Sequence, residues 1–446
     1  MKKIVSLLLI YGAIMFGSVA YAEGQGMNDV FGEIDKDGDR LVGLFKKVHS
    51  DPELSFMEVN TAALVGAELQ RLGYQTITKI GKTGVVGIMK NGEGPIVMYR
   101  ADMDALPVKE TVDVSYASKK VSKFDDGLEV PVMHACGHDA HVVWMLGVAK
   151  VMAENKDKWK GTIIFVAQPA EEVGEGAQAM VRDQMYSRGV PVPDYLFGMH
   201  TAPFPVGTFL SEPGVRMAGT DQIDVTFHGI GGHGSSPHLA KDPVIMAATA
   251  INSYQSIVSR GIDPQRAAVI TVGSVQAGES NNVIPSSSLL KINLRWFEEK
   301  DRQLMISGIQ RINEGIAYSY NLDKSMYPTM VKKGWAAPVV NDPQLTGIVN
   351  TGLQNHFSEA KNIVGTPAVM GSEDFHHLVL ENPNYSYTFM LVGIADPVRY
   401  SDAVKAGLQF PYAPHNSNFV VDLRAIPYGV KLASVSLFSI FQNKSN

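Results

Sequence analysis

The sequence predicts an α/β protein: a layered α/β/α domain carrying a second, inserted α+β unit of ferredoxin-like order. Three observations predict it. Short β-prone runs alternate with helical stretches between residues 27 and 200. Near Arg216 the rhythm changes to β-α-β-β-α-β, and from about Pro338 the first rhythm resumes. Strands alternating with helices build layered sheets, and an interrupted rhythm marks one domain inserted in another.

Taken in order, residues 27–49 read as a helix that stops at the turn signal Ser50-Asp51-Pro52. Ala62, Val65, Leu69 and Leu72 share one face of a second helix, with Gly73 as its stop. Gly84–Met89, Pro95–Arg100, Gly161–Gln168 and Asp194–His200 read as strands, and Val142–Met152 as a buried helix between them. In the second unit, Gln222–Phe227, Ala267–Val272, Leu289–Arg295 and Thr329–Lys332 read as strands. Pro243–Val258 and Arg302–Ser319 read as its helices, the latter with Ile306, Ile309 and Ile312 one turn apart. A helix at Pro343–His356 and further short strands return to the first domain. The expected boundaries are a leader at 1–22, the first domain at 23–215 and 336–446, and the insertion at 216–335.

Composition narrows the function classes. The chain has 446 residues, 45% hydrophobic and 19% charged, with mean hydropathy near zero, a globular balance that argues against disorder, collagen and coiled coil. Net charge is −6 with no Lys/Arg tract, so the electrostatic footprint of a nucleic-acid binder is missing. Lys2-Lys3, the apolar stretch Ile4–Phe16 and Ala20-Tyr21-Ala22 have the plan of a cleaved secretory signal. No later segment reaches the length of a membrane span. The expectation is an exported protein of a bacterial periplasm. A single cysteine, Cys136, excludes an intrachain disulfide. In an oxidising compartment it is either an inert core residue or a ligand.

Its neighbours are suggestive. Met133–His141 holds three histidines, Cys136 and Asp139 in nine residues. In Cys136-Gly137-His138, glycine permits thiolate and imidazole to approach one centre, and both suit zinc. Gln168-Pro169-Ala170-Glu171-Glu172 follows a strand, where α/β proteins gather ligands and catalytic groups. Adjacent carboxylates repel unless a cation stabilises them, and one can ligate while the other stays free as a base. His200 ends another strand, His415 lies near the C-terminus, and Asp102 and Asp104 follow a third strand. Those aspartates could hold the free nitrogen of a ligating imidazole. Gly229–His238 lacks the Lys-Ser/Thr of a phosphate loop and reads as a turn presenting His233. Singly, these features fit bland roles equally well: a polar loop with a buried cysteine, a solvated acidic turn, structural histidines.

Together they resemble the co-catalytic metallopeptidase family of aminoacylase, hippurate hydrolase and the auxin-conjugate hydrolases, in its bacterial amidohydrolase branch. The strings are Arg100–Pro107, Met133–His141, Gln168–Glu172, Gly231-Gly232-His233, Asn282-Val283-Ile284-Pro285 and Gly371–Phe375. The resemblance implies a metal-dependent amidohydrolase cleaving N-acyl amino acids or similar conjugates, or a carboxypeptidase or dipeptidase on peptides. It implies Cys136, His138, Glu172, His200 and His415 as ligands of two divalent ions. Thiolate and imidazole favour zinc, with manganese, cobalt or nickel as alternatives. It further implies Glu171 as general base, Asp104 as a residue holding a ligand, His233 as a catalytic histidine, and Asn282 and Arg295 as binders of the substrate carboxylate. The inserted domain would serve as lid and homodimer interface. A periplasmic solute-binding protein is the alternative from another class, but it has no use for a spare carboxylate beside a ligating one.

Overall fold

The computed structural model describes residues 26–124, 127–357, 361–382 and 384–443, so the 1–22 leader lies outside the described residues. The chain forms two compact units. One comprises the chain up to Gly214, Asn341–Thr366 and Phe375 onward; the other is Val215–Val340 with Pro367–Asp374. The second unit thus runs past the expected boundary at 335 and takes in a segment assigned from sequence to the first.

The first unit begins with helix at 26–36, a break at Asp37, and α1 (Gly38–Ser50). One helix was expected over 27–49. The break coincides with Asp37, whose carboxylate receives both Nε and Nη2 of Arg40, at 2.8 and 2.7 Å. Then follow α2 (Val59–Arg71), β1 (Gln75–Ile80), β2 (Gly84–Asn91), β3 (Ile96–Asp102), α3 (His138–Glu154), β4 (Gly161–Gln168), α4 (Gly176–Arg182), β5 (Tyr195–Pro205) and β6 (Thr208–Leu210). After the second unit come α7 (Pro343–His356), β11 (Lys361–Asn362), β12 (Ser386–Ala395), α8 (Pro397–Lys405) and α9 (Ala425–Gln442). The eight strands pair in the order β1-β2-β4-β3-β5-β12-β6-β11. Its centre, β4-β3-β5-β12, is parallel. β4 is buried along its whole length, as its nearly unbroken apolar run requires of a strand covered on both faces.

α3 is buried on every side from His138 to Ala149. It packs against β3, β5 and α9. The approach to α9 is close: a Cβ on Gly429 would meet the Trp144 ring at 2.3 Å, and Trp144 Nε1 donates to Ala425 O at 3.0 Å. Among the described residues no helix is long and apolar enough to cross a membrane.

The second unit contains β7 (Gly219–His228), α5 (Pro243–Gly261), β8 (Val269–Ala277), β9 (Ser287–Trp296), α6 (Glu299–Ser319) and β10 (Thr329–Ala336). Its antiparallel sheet runs β8-β9-β7-β10. Ile223, Val225 and Phe227 alternate inward against Met246, Tyr254 and Ile309 of the two helices. Buried Asp221 takes both arms of Arg302 at 2.8 Å, and the guanidinium lies over the rings of Trp296 and Trp335.

Candidate active site

The parallel strands β3, β4 and β5 end at one edge of the first unit's sheet, and the chemistry-bearing residues gather there. Asp102 closes β3, and Asp104 follows it. Glu171 and Glu172 lie just past β4, and His200 lies on β5. Cys136 and His138 come from the loop before α3 and its first turn. Cys136-Gly137-His138 forms the turn that opens a helix. Gly137 is the N-cap at φ +87°, and a Cβ there would sit 2.7 Å from Cγ2 and Oγ1 of Thr201. The Thr201 hydroxyl in turn donates to Cys136 O at 2.6 Å, tying the cysteine turn to β5.

Hydrogen bonds fix the imidazoles. His200 Nδ1–H donates to Thr201 O at 2.7 Å, so the Nε2 lone pair faces Cys136 Sγ at 3.5 Å. His141 is different. Its Nε2 accepts from Thr201 N at 2.8 Å and its Nδ1 donates to Asp102 at 2.5 Å, so both nitrogens are used. His138 Nδ1 faces Asp104 Oδ1 at 3.3 Å. Its Nε2 has Asp102, Glu172 and Glu171 oxygens at 3.6, 3.7 and 3.9 Å. Neither ring nitrogen makes a hydrogen bond, although both are buried. Cys136, Glu172 and His415 offer ligand atoms within 4.8 Å of one another, with His415 Nε2 3.3 Å from Glu172 Oε2. His415 is the exposed member, its side chain 53% accessible. It stands on a loop at φ +67°, where its N–H donates to Ala135 O at 2.8 Å.

Charge balance completes the picture. Asp102, Asp104, Glu171 and Glu172 crowd together, while the guanidinium on Asp102 is that of Arg100, at 2.8 Å. Burial and the neighbouring carboxylates push the Cys136 thiol well above its usual range. Burial likewise raises Glu172, to about 8. Burial opposes a charge on His138, but Asp102 and Asp104 overcome it and hold the imidazole at about 10. Burial raises Asp102 too, yet Arg100 and the two imidazoles keep it well below the carboxylate range. The group is short of positive charge, its donors are sulfur, imidazole nitrogen and carboxylate, and a buried imidazole lies among carboxylates without a hydrogen bond on either ring nitrogen. These residues fit a divalent cation.

Asp104 also holds the backbone: Oδ1 and Oδ2 accept from the N–H groups of Glu171 and Glu172 at 3.1 and 3.0 Å. Behind the cluster, His49 lies between Asp139 (Nδ1, 2.6 Å) and Glu110 (Nε2, 3.1 Å). Burial opposes its charge, but bonds to both carboxylates prevail and raise it to about 9. Neither this triad nor the pairing of Asp102 with His141 was read from sequence, because the partners are far apart along the chain.

The remaining residues belong to the second unit. His233 pairs through the two-residue strand Gly232–His233 with Val283–Ile284, and Gly234 N donates to Asn282 O at 2.8 Å. This places Asn282 beside the histidine loop. Ser235 N–H donates to His233 Nδ1 at 3.1 Å, so in the neutral ring the proton sits on exposed Nε2. Arg295, on β9, donates to Asn293 at 2.8 Å and Ser372 at 2.6 Å.

The sequence pattern of peptidase family M20/M25/M40 matches residues 98–405. A hippurate hydrolase of Campylobacter jejuni is 37% identical over 342 residues, 75% of this chain and 85% of that one. Thermostable carboxypeptidase 1 of Saccharolobus solfataricus is 34% identical, over 91% of this chain and 96% of its own. Among solved structures, the YXEP protein of Bacillus subtilis, described as a dinuclear metal binding peptidase, superposes with a TM-score of 0.69 at 26% identity. It covers 92% of this chain and all of its own.

Proposed function

This chain belongs to peptidase family M20/M25/M40 and hydrolyses amide or peptide bonds; from that premise we propose that it cleaves N-acyl amino acids or similar conjugates. One observation carries the reading. Two adjacent carboxylates, Glu171 and Glu172, stand at a strand end, both within 4 Å of buried His138 Nε2. Only one of them, Glu172, also joins Cys136 and His415. Glu172 is therefore assigned to a cation and Glu171 to proton transfer. Cys136, His138, Glu172, His200 and His415 would hold two divalent cations, zinc by the softness of the donors. When bound, the cations acidify water and polarise the scissile carbonyl.

The residues of the chain supply the rest. Glu171 takes the proton of the attacking water and delivers it to the leaving nitrogen, so that the C–N bond breaks after the C–O bond has formed. Asp104 orients His138 and the Glu171–Glu172 backbone. His233, with its proton on Nε2, is a donor for the oxyanion. Asn282 and Arg295 take the substrate carboxylate. The second unit acts as a lid and pairs two copies into a dimer. The leader at 1–22 directs export to a bacterial periplasm.

The hippurate hydrolase relative favours acyl-amino-acid substrates; the carboxypeptidase relative favours a second reading, trimming of peptides. A screen of N-acetyl and N-benzoyl amino acids against peptides, with zinc, manganese and cobalt, separates them. In Glu171→Gln, bound metal should persist while kcat falls by ~10³-fold or more. Hydrolysis near the wild-type rate would remove Glu171 as the base.

A further inference from the structure

Glu58 lies outside every motif discussed so far. It is fully buried at the N-cap of α2, an unusual place for a carboxylate with no cationic partner. Its contacts are all hydrogen-bond donors. Oε1 accepts from the N–H groups of Phe56 at 2.9 Å and Ala170 at 2.8 Å, and Oε2 accepts from the Thr83 hydroxyl at 2.5 Å.

Ala170 immediately precedes Glu171 and is held at φ +50°, a conformation L-residues avoid unless their surroundings impose it. Its neighbours are held by Asp104, which receives the next two N–H groups. Three consecutive amides, 170 to 172, thus point at two buried carboxylates. The two belong to one support: Ser55 donates to Asp104 at 2.7 Å, and Ala105 N donates to Glu53 O at 2.8 Å. Segment 53–58 therefore braces the strand end that carries Asp104 and, through Glu58, the turn that carries Glu171.

We propose that Glu58 is a positioning residue for catalysis: its carboxylate oxygen, 2.8 Å from Ala170 N, holds that residue in the left-handed conformation that aims Glu171. The proposal rests on Glu171 being the base. It requires an oxygen at the right reach, not a negative charge. Glutamine keeps the reach, since its amide oxygen can accept from Phe56 and Ala170 while its NH2 faces the Thr83 oxygen. Aspartate keeps the charge and loses the reach.

The test compares Glu58→Gln with Glu58→Asp on the metal-loaded enzyme. Glu58→Gln should keep kcat within about threefold. Glu58→Asp should lose ~10–100-fold in kcat, the scale of a small misplacement of a reacting group. KM should stay within about twofold and metal stoichiometry should be unchanged. Adding Ala170→Gly to Glu58→Asp should recover much of the loss, because glycine takes positive φ without strain; this double variant also decides the matter if Glu58→Asp alone does not fold. An undiminished kcat in Glu58→Asp, equal losses in both single variants, or no recovery in the double variant would overturn the proposal. Glu171→Gln, run alongside, keeps the two readings apart. If it is inactive while Glu58→Asp is unimpaired, only the positioning role fails; if it is active, the base assignment fails.

Discussion

His200 and His415 both aim Nε2 into the same cluster, yet they are held in opposite ways. His200 sits within a parallel strand of an eight-stranded sheet, its tautomer fixed by the carbonyl of the next residue. His415 stands half in solvent on a loop, held through its backbone at Ala135 and, two residues on, by Thr111 N–H on Ser417 O at 2.9 Å. The strand side carries geometry that cannot relax. The loop side carries, on the proposed reading, a ligand that water can replace. A site assembled this way has a permanent half and an exchangeable half.

The sharpest way to break the comparison is to truncate each imidazole. His200→Ala should weaken metal binding by more than ~100-fold, beyond what loss of a residue that merely supports a ligand costs. His415→Ala should cost about tenfold, with solvent taking the position. Competition with a chromophoric chelator measures both, and equal losses would end the distinction.

The strand side is also braced by charge. The folded value of His49, about 9, lies above its usual 6.5. Its ion pairs therefore stabilise fully below pH 6.5, and the contribution, at most about 3 kcal/mol, fades as pH rises through 9. Denaturant melts of wild type and His49→Gln should converge between pH 6.5 and 9.5; a constant difference would show that the pairing carries no charge. Gly137→Ala attacks the same side through the backbone. Positive φ and the Thr201 contact together should cost about 2 kcal/mol and lower metal occupancy. The smallest effect belongs to the loop side. Thr111→Val removes an exposed hydroxyl bond to Ser417 but leaves the backbone bond, so melting should change by less than about 0.5 kcal/mol.

The sequence made some of this legible and hid the rest for physical reasons. Runs such as Gly161–Gln168 announce a covered strand, because only that environment suits eight residues with so little polarity. β1 escaped notice because an edge strand with exposed Gln75 and Lys79 has no such pattern. Strings like Gln168–Glu172 concentrate chemistry within a few residues, so they can be read locally. Glu58 and His49 cannot: their partners lie 112 and 90 residues away, and alone each looks like an ordinary helix-end residue. His141 was visible in its window, but only the fold reveals that Thr201 and Asp102 occupy both of its nitrogens.

The helix that begins at His138 is embedded along its length, with the Trp144 ring against Gly429 midway. At 1.5 Å per residue it reaches about 25 Å from the cysteine turn into the protein. It works as a rigid rod with the proposed ligands at its tip. Loosening it anywhere, for instance by hollowing out Met145 or Leu146, should be felt at the tip as slack. Heat should accordingly release the cations and melt the hydrophobic interior in one calorimetric event.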